Sequence, residues 1–338
     1  MTNHDLILLG HGGGGQLTHR LISECIAPAL KNPILDQMDD AACITSPGRH
    51  LVFTTDSFVV DPLFFPGGDI GTLAACGTLN DIAMQGAKPL YLTLGLILEE
   101  GFPVADLKRI VQSLADAAKS IGVLVVAGDT KVVERGKGGG VYINTSGLGV
   151  RKAGVSTHVS NAKPGDAVIV TGTIGDHGMA VMSKRQGLEF ETALESDVAV
   201  LWPMVEPLLK KLGPSLHVLR DPTRGGVTAA LCDIAEAAKC GVRIRQRALP
   251  VTPAVKGACG LLGLDPLNVA NEGKAMVVCA PEAVERALAI LRQTPLGKNA
   301  VCIGTITDQH PGAVVLETEI GGERRLTMPA GEELPRIC

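Results

Sequence analysis

Short apolar runs and two segments of helical spacing alternate along the first half of the chain. Apolar side chains recur at helical intervals in Val104 to Ile121, and Asp69 to Gln85 is rich in small residues, so both segments predict helices. Glycine, proline or aspartate bounds each apolar run, which is typical of strands. The predicted strands are Leu51 to Thr55, Leu90 to Leu98, Val123 to Ala127 and Val141 to Val150.

A second group of elements follows the polar segment Ser156 to Lys163. Pro203, Pro222 and Pro281 are each suited to a first helical turn, so we expect a helix at each of them. Strands and helices do not alternate regularly, which favours two α+β domains over a βαβ repeat with a parallel sheet. The strands predicted in this half are Ala167 to Thr171, Val242 to Arg245, Ala275 to Cys279 and Ala300 to Ile306.

The chain is therefore expected to have three parts. A boundary near residue 155 gives an N-terminal domain at 1–155 and a C-terminal α+β domain at 156–327. The remaining segment 328–338, MPAGEELPRIC, contains two prolines, one glycine and few apolar side chains. Such a segment is poorly anchored unless it docks, so we predict a mobile tail that carries Cys338.

Composition excludes several classes of function. The chain has 338 residues, of which 46% are hydrophobic, so it can bury a sizeable core. A net charge of −4 and the lack of a Lys/Arg run predict no nucleic-acid or membrane partner. Neither a signal-peptide pattern nor a run of about 20 apolar residues occurs, which predicts a cytoplasmic location. Nine scattered cysteines without a Cys-x-x-Cys pair favour reduced thiols and no zinc site.

A glycine-rich segment near the start precedes a stretch of helical character. Successive backbone N–H groups at Gly12, Gly13 and Gly14 can form an anion cradle for a phosphate, and the alternative is a flexible linker. The sequence contains no Gly-x-x-x-x-Gly-Lys-Ser/Thr motif, which excludes a P-loop. The glycine run alone does not decide between a nucleotide site and a linker.

Aspartates recur at strand ends and turns. Hard oxygen ligands on separate loops suit Mg2+ that bridges the phosphates of a nucleotide. For each single aspartate the alternative is a turn or helix-capping carboxylate. The candidates are Asp40, Asp56, Asp81, Asp129 and Asp221.

Three further residues are candidates for chemistry. Lys131 is the lone cation of its segment and can meet phosphate oxygens, unless it is a solvated surface lysine. Glu272 precedes an apolar strand and suits a general base if burial raises its pKa, with a plain turn as the alternative. A thiol at the chain end, Cys338, suits a nucleophile or an acyl carrier, or is an accidental terminal residue.

Seven motifs together resemble the hydrogenase maturation family HypE, within the ATP-dependent superfamily typified by aminoimidazole ribonucleotide synthetase and selenophosphate synthetase. The acidic and glycine-rich motifs are typical of the superfamily, whereas the terminal Pro-Arg-Ile-Cys selects the HypE family. The motifs are HGGGGQ at 11–16, TTDSFVVDPLFFPGGDIG at 54–71, NDIAMQGAKP at 80–89, GDTKVV at 128–133, RDPTRGG at 220–226, NEG at 271–273 and PRIC at 335–338.

The resemblance implies an activity and a set of partners. It implies a two-domain α+β fold like that of aminoimidazole ribonucleotide synthetase, a homodimer formed through the N-terminal domains, and ATP with Mg2+ between the domains. A partner carbamoyltransferase, HypF, would load Cys338, and ATP would then drive dehydration of the carbamoyl group to an S-cyanate. The cyanide would pass to iron on a HypC–HypD scaffold for a nickel-iron hydrogenase.

The resemblance also implies roles for single residues. Glu272 would be the base that removes protons from the carbamoyl nitrogen. Lys131 would stabilise a phosphate group or the imidate form of the carbamoyl group. The glycine-rich loop and Asp129 would belong to the nucleotide site, with Asp56 and Asp81 at both nucleotide and metal. The implied Mg2+ ligands are Asp40, Asp56, Asp81 and Asp221.

Two other functions remain open at this stage. A selenophosphate synthetase-like ATPase acting on a free small molecule would be favoured by a reactive cysteine or selenocysteine near the glycine loop, and this loop has neither. A non-catalytic carrier that only presents Cys338 would not need the acidic and glycine-rich motifs. The loop also departs from its relatives, since four glycines follow His11 where a Gly-Ser-Gly-Gly pattern is common.

Overall fold

The computed structural model describes residues 6–8, 21–32, 50–188, 194–328 and 336–338. Gly12, Gly13, Gly14 and Asp40, predicted for the nucleotide and metal sites, lie outside these ranges. Within them, no helix combines the length and the apolar character needed to cross a bilayer.

A four-stranded sheet forms the first half of the fold. Its strand order is β1-β6-β4-β5, and only β4 and β5 run parallel. All four predicted strands of this half are present, and each is longer than predicted. The strands are β1 (His50–Phe58), β2 (Phe64–Phe65), β3 (Gly68–Asp69), β4 (Lys88–Glu99), β5 (Leu124–Val133) and β6 (Val141–Arg151), with β2 and β3 forming a separate hairpin.

Helices cover one face of this sheet. A π-helical turn at Ile22–Ile26 leads into α1 (Ala27–Leu30), and the two predicted helices are α2 (Ile70–Met84) and α3 (Val104–Ser120). The Asp69 carboxylate caps α2 by accepting from the N–H groups of Gly71 and Thr72, both at 2.9 Å. Helix α2 is buried on nearly all sides, because the second domain covers the side that the sheet does not.

The other face of the sheet is open in the single chain. Side chains alternate along β1, so that Thr54 and Asp56 face the helices whereas Phe53 and Thr55 face away. Phe53 is 69% exposed, and Leu51 and Ile97 on the same face are 56% and 44% exposed. This face therefore carries an apolar surface with no cover in one chain.

The second half forms a seven-stranded sheet. Its order is β13-β12-β9-β11-β7-β10-β8, and among the described strands of this sheet only β9 and β12 pair in parallel. The strands are β7 (Ala167–Val170), β8 (Leu216–Arg220), β9 (Gly241–Arg245), β10 (Met276–Cys279), β11 (Val301–Thr307), β12 (Val314–Glu317) and β13 (Glu323–Leu326). The helices are α4 (Asp176–Gln186), α5 (Trp202–Leu212), α6 (Gly226–Ala238), α7 (Pro253–Leu262) and α8 (Val284–Arg292).

The central strands β7 and β10 are buried along their whole length. Helix α6 packs on one face through Val227 and Leu231, and α5 and α8 pack on the other through Leu208 and Leu291. A strand covered on both faces has no polar side, so these strands are continuous apolar runs. The two domains thus share an α+β character, as predicted, but only the second sheet is covered on both faces.

One predicted helix start is wrong. Pro203 lies in the first turn of α5, and Pro281 begins a short 3-10 turn before α8. Pro222, in contrast, precedes α6 by several residues, because Gly225 and Gly226 adopt φ values of +76° and +61° and form the turn that enters the helix. The RDPTRGG segment is therefore mostly a loop, which leaves Asp221 and Arg224 free to face a ligand.

Replacing Gly71 by alanine tests the close approach of α2 and α3. A Cβ at Gly71 would lie 2.0 Å from the backbone oxygen of Ile110, so one helix must shift. We expect Gly71→Ala to lower the free energy of unfolding by about 1–3 kcal/mol, measured by urea denaturation. Gly257→Ala in α7 is the matched control, since no atom lies within 4 Å, and should gain up to about 1 kcal/mol. Equal losses in both variants would contradict the packing argument.

Candidate active site

The last three residues of the chain dock against the N-terminal domain. The N–H of Asp61 donates to the carbonyl of Arg336 at 3.1 Å, and the N–H of Val59 donates to a carboxylate oxygen of the terminal Cys338 at 3.4 Å. Ile337 is only 2% exposed and belongs to a hydrophobic cluster that the N-terminal domain shares with α4 and α7 of the second domain. The docked end is therefore held by its main chain against the segment that follows β1.

Docking brings Cys338 into a small cavity between the domains. The cavity has a volume of about 60 Å³, and four predicted site residues line it with Cys338. They come from four separate elements: β1, α2, the loop after β8 and the segment before β10. These four residues are Asp56, Asp81, Asp221 and Glu272.

The three aspartates form a cluster with unfavourable electrostatics. Asp81 accepts a hydrogen bond from Thr54 Oγ1 at 2.9 Å, which fixes its carboxylate beside β1. Burial, and then the neighbouring Asp81 carboxylate, raise the pKa of Asp56 to about 6. The same two causes in the same order raise the pKa of Asp221 to about 7. Repulsion of this kind is relieved by a bound cation.

Glu272 is the most deeply buried acid of the cavity. Its side chain is 3% exposed, and burial, followed by Asp197, Asp221 and Asp56, raises its pKa well above the usual value. Within the described residues its Oε1 atom has no hydrogen-bond partner. Its backbone is fixed, because the carboxylate of Asp197 accepts from its N–H at 3.1 Å. A rigid backbone with a free, proton-holding carboxyl suits proton transfer.

A second, larger cavity adjoins the first. It has a volume of about 800 Å³, and Asp81 and Asp221 line both cavities. The larger cavity also contains cationic and apolar side chains, which suits a nucleotide. Besides the two aspartates, its lining includes Phe53, Met84, Arg151, His158, Leu219 and Arg220.

Asp129 and Lys131 do not join these cavities in the single chain. Both lie on β5, in register with Gly95 and Ile97 of β4, and point to the open face of the sheet. Their side chains are 69% and 65% exposed and pair with each other at 3.3 Å. The helix-covered face, which carries Asp56, is the opposite one. The structure thus separates the predicted site into two groups.

The acidic cluster is not a complete metal site. In the described ranges, no three His, Cys, Asp or Glu side chains converge closely enough to hold a metal ion alone. Mg2+ seldom uses an all-protein cage, because it keeps several waters and is bound through one or two carboxylates and substrate phosphates. Asp56, Asp81 and Asp221 fit that incomplete type of site.

Three site residues had no assignment from the sequence. Arg224 lines the small cavity and lies in the RDPTRGG motif, so its position in the motif was the available signal. Asp197 binds Lys274 at 3.1 Å and two backbone N–H groups before β10. His177 binds the docked tail through the Ile337 carbonyl at 2.9 Å. Neither Asp197 nor His177 lies in a motif, so only the fold identifies them.

Two family models, one for each domain of the same protein family, match the chain. The N-terminal domain of AIR synthase related protein matches residues 38–151, and the C-terminal domain of the same family matches residues 163–317. The fold and the cleft between two α+β domains therefore define an AIR synthase related protein.

Full-length relatives narrow the class further. The carbamoyl dehydratase HypE of Cupriavidus necator is 50% identical over 98% of this chain and 94% of its own length. A crystal structure of hydrogenase maturation protein HypE in complex with ATP is 46% identical, with a TM-score of 0.95 over 98% of this chain and 99% of that one. A HypE–HypF complex gives 49% identity and a TM-score of 0.80 over 93% and 100%. The chain belongs to the HypE family of carbamoyl dehydratases, which confirms the resemblance of the motifs.

Asp221→Asn tests the electrostatics of the cluster. Because the pKa of Asp221 is raised in the folded state, ionisation of its carboxyl opposes folding. The contribution of the protonated carboxyl to the free energy of unfolding is fully present below the unfolded-state pKa and is lost as the pH rises toward 7. The variant cannot ionise there. We expect its advantage in unfolding free energy over the natural chain, without added metal, to grow by about 1–2 kcal/mol between pH 5 and pH 8.

Urea denaturation at the two pH values measures this advantage. Asp308→Asn is the control, because Asp308 is exposed and is not among the described residues that line the two cavities. Added Mg2+ should stabilise the natural chain at pH 8 more than Asp221→Asn. If the difference in unfolding free energy between the variant and the natural chain does not change with pH, ionisation of Asp221 does not oppose folding.

Proposed function

We propose that this chain is an ATP-dependent carbamoyl dehydratase whose substrate group is carried by its own Cys338. The product is an S-cyanate that supplies the cyanide ligand of a nickel-iron hydrogenase. The observation that carries this proposal is the docking of Cys338 in a cavity with Glu272 and the aspartate cluster. A free small molecule as substrate would leave this placement of the chain end without a purpose.

The chemistry explains why ATP is needed. The oxygen of a carboxamide is a poor leaving group as oxide. Phosphorylation of that oxygen lets it leave as phosphate. Transfer of the γ-phosphoryl group to the carbamoyl oxygen, with release of ADP, gives an imidoyl phosphate on the sulfur of Cys338. Loss of phosphate then leaves S–C≡N, and the two protons of the nitrogen are released on the way. A base near the nitrogen is therefore required.

Glu272 is our candidate for this base. Its Oε1 atom, free of partners among the described residues, lines the cavity that holds Cys338. A carboxyl with a raised pKa is a stronger base once ionised than an ordinary glutamate. Arg224, which lines the same cavity and lowers the pKa of Glu272, is placed to steady the ionised form or a phosphate oxygen.

The two adjoining cavities suggest where ATP lies. We place the nucleotide in the larger cavity, so that its phosphates reach Asp81 and Asp221 on the shared wall. Asp56, Asp81 and Asp221, with Asp40 as the candidate from the sequence, would hold Mg2+. Bound Mg2+ would neutralise phosphate charge at the site of transfer. The solved relative in complex with ATP supports a nucleotide in this fold.

The partners follow from the need to load and unload Cys338. We propose that HypF places the carbamoyl group on the thiol, and the solved HypE–HypF complex of a relative supports this partner. The cyanide would then pass to iron on HypC–HypD. Tethering keeps the group at a high effective concentration near the ATP cavity after each visit.

The open face of the first sheet suggests a homodimer. A second copy of the chain is the occupant that we propose, because the face bears Leu51, Phe53 and Ile97 among polar side chains. Asp129 and Lys131 would then lie at the contact between the copies. A role of Lys131 at phosphate or imidate, and of Asp129 at the nucleotide, would therefore depend on the dimer.

Intact-protein mass spectrometry tests the reaction. We expect HypF, carbamoyl phosphate and ATP to give a carbamoyl adduct that loses the mass of one water, and Cys338→Ala to give no adduct. Glu272→Gln should be loaded at the normal rate but lose water at least about 100-fold more slowly, because the base is absent. Loss of loading in Glu272→Gln with active HypF would contradict its assignment as the base.

Sedimentation of Phe53→Asp tests the dimer. A charge in the centre of an apolar contact is costly to bury, so we expect the variant to sediment as a monomer where the natural chain is a dimer. Leu261→Asp is the control, because Leu261 is 73% exposed on α7 of the other domain. A dimer that survives Phe53→Asp would place the contact elsewhere.

A further inference from the structure

The backbone of the docked tail is bound on two sides. The backbone N–H of Val59 donates to a carboxylate oxygen of the terminal Cys338, and that of Asp61 donates to the carbonyl of Arg336. The carbonyl of the residue between them, Ile337, points the other way and meets Nε2 of His177 at 2.9 Å. His177 belongs to α4 of the second domain, so the tail is held between both domains.

Hydrogen bonding fixes the state of His177. A carbonyl only accepts, so Nε2 must carry the proton that binds Ile337, and Nδ1 is left to accept in the neutral ring. The hydroxyl of Ser196 lies 2.8 Å from Nδ1 and donates to it. The same hydroxyl oxygen accepts from the N–H of Val198 at 3.1 Å. His177 is fully buried, and burial lowers its pKa, which favours the neutral ring.

The turn that orients His177 also positions Glu272. Asp197 follows Ser196 directly, and its carboxylate accepts from the N–H groups of Glu272 and Gly273, each at 3.1 Å. The Lys274 ammonium binds the same carboxylate at 3.1 Å. No side chain fits at Gly273, since a Cβ would lie 1.7 Å from the carbonyl oxygen of Asp197. One rigid turn therefore contacts both His177, through Ser196, and the backbone of Glu272, through Asp197.

We infer that His177 is a positioning residue for the dehydration, which binds the main chain of the docked tail and, through Ser196 and Asp197, sets the Cys338 sulfur in register with Glu272. This inference rests on the proposed function. His177 does not touch the carbamoyl group. It acts by fixing the carbonyl one residue before the sulfur, relative to the turn that holds the base.

A plain packing role does not account for these contacts. The imidazole packs edge-on against Phe65 with ring centroids 5.4 Å apart, which an apolar side chain could also do. Its two nitrogens, however, bind a serine of the turn and a residue 160 positions away at the chain end. When the tail leaves, the buried Nε2–H loses its hydrogen-bond partner, which is unfavourable unless water replaces it. His177 therefore favours the docked state.

His177→Leu separates positioning from loading. The variant keeps side-chain volume but removes both hydrogen bonds, so the tail should dock loosely. We expect the natural rate of loading by HypF, and an about 10- to 100-fold slower loss of water from the loaded chain at saturating ATP, followed by intact-protein mass spectrometry. Alkylation of Cys338 by iodoacetamide should become faster, because the tail spends more time undocked. His177→Gln, which retains a donor, should recover part of the rate.

Ser196→Ala is the second variant, for the case that His177→Leu does not fold. It removes only the donor to Nδ1 and should also slow loss of water without changing loading. Natural rates of dehydration and of alkylation in a folded variant would overturn the inference. Equal losses in loading, dehydration and thermal stability would also overturn it, since they indicate a structural role. A natural chain that is loaded but never loses water would instead overturn the proposed function.

Discussion

The burial of helix α2 between the two domains is the constraint on which the site depends. A helix enclosed on nearly all sides must satisfy each of its polar groups inside the protein. Asn80 does so with three bonds: its Nδ2 donates to the carbonyls of Ala199 and Glu272, and its Oδ1 accepts from the N–H of Leu201. One amide on the first domain thereby fixes the segment after Asp197 and the backbone of the proposed base.

The same helix carries a cost at its next residue. Asp81 lies beside Asp56 of its own domain and faces Asp221 across the cleft. Burial, and then the Asp81 carboxylate, raise the pKa values of Asp56 and Asp221 to about 6 and about 7. A cluster of this kind opposes folding in the free protein and favours ligands that bring positive charge. The hydrogen bonds of Asn80 connect the two sides of the cleft and oppose the electrostatic repulsion between its carboxylates. Stability and ligand affinity are therefore opposed at this site.

Much of the fold could be predicted because its strands are continuous apolar runs with clear boundaries, as at Leu90 to Leu98 and Ala275 to Cys279. The start of α6 could not, because the positive φ angles of Gly225 and Gly226 depend on the loop that they close. Among site residues, motifs identified Glu272 and Cys338. His177 and Asp197 escaped prediction, since their partners lie far along the chain and become neighbours only after folding.

The burial of Ile337 beside the terminal thiol has a kinetic meaning. Because the reacting group belongs to the chain that transforms it, the bond-making step is first order in protein, and dilution leaves its rate unchanged. The carbamoyl group has no Michaelis constant, and only ATP can saturate the site. Each molecule carries one carbamoyl group at a time, so every further cycle requires Cys338 to be loaded again.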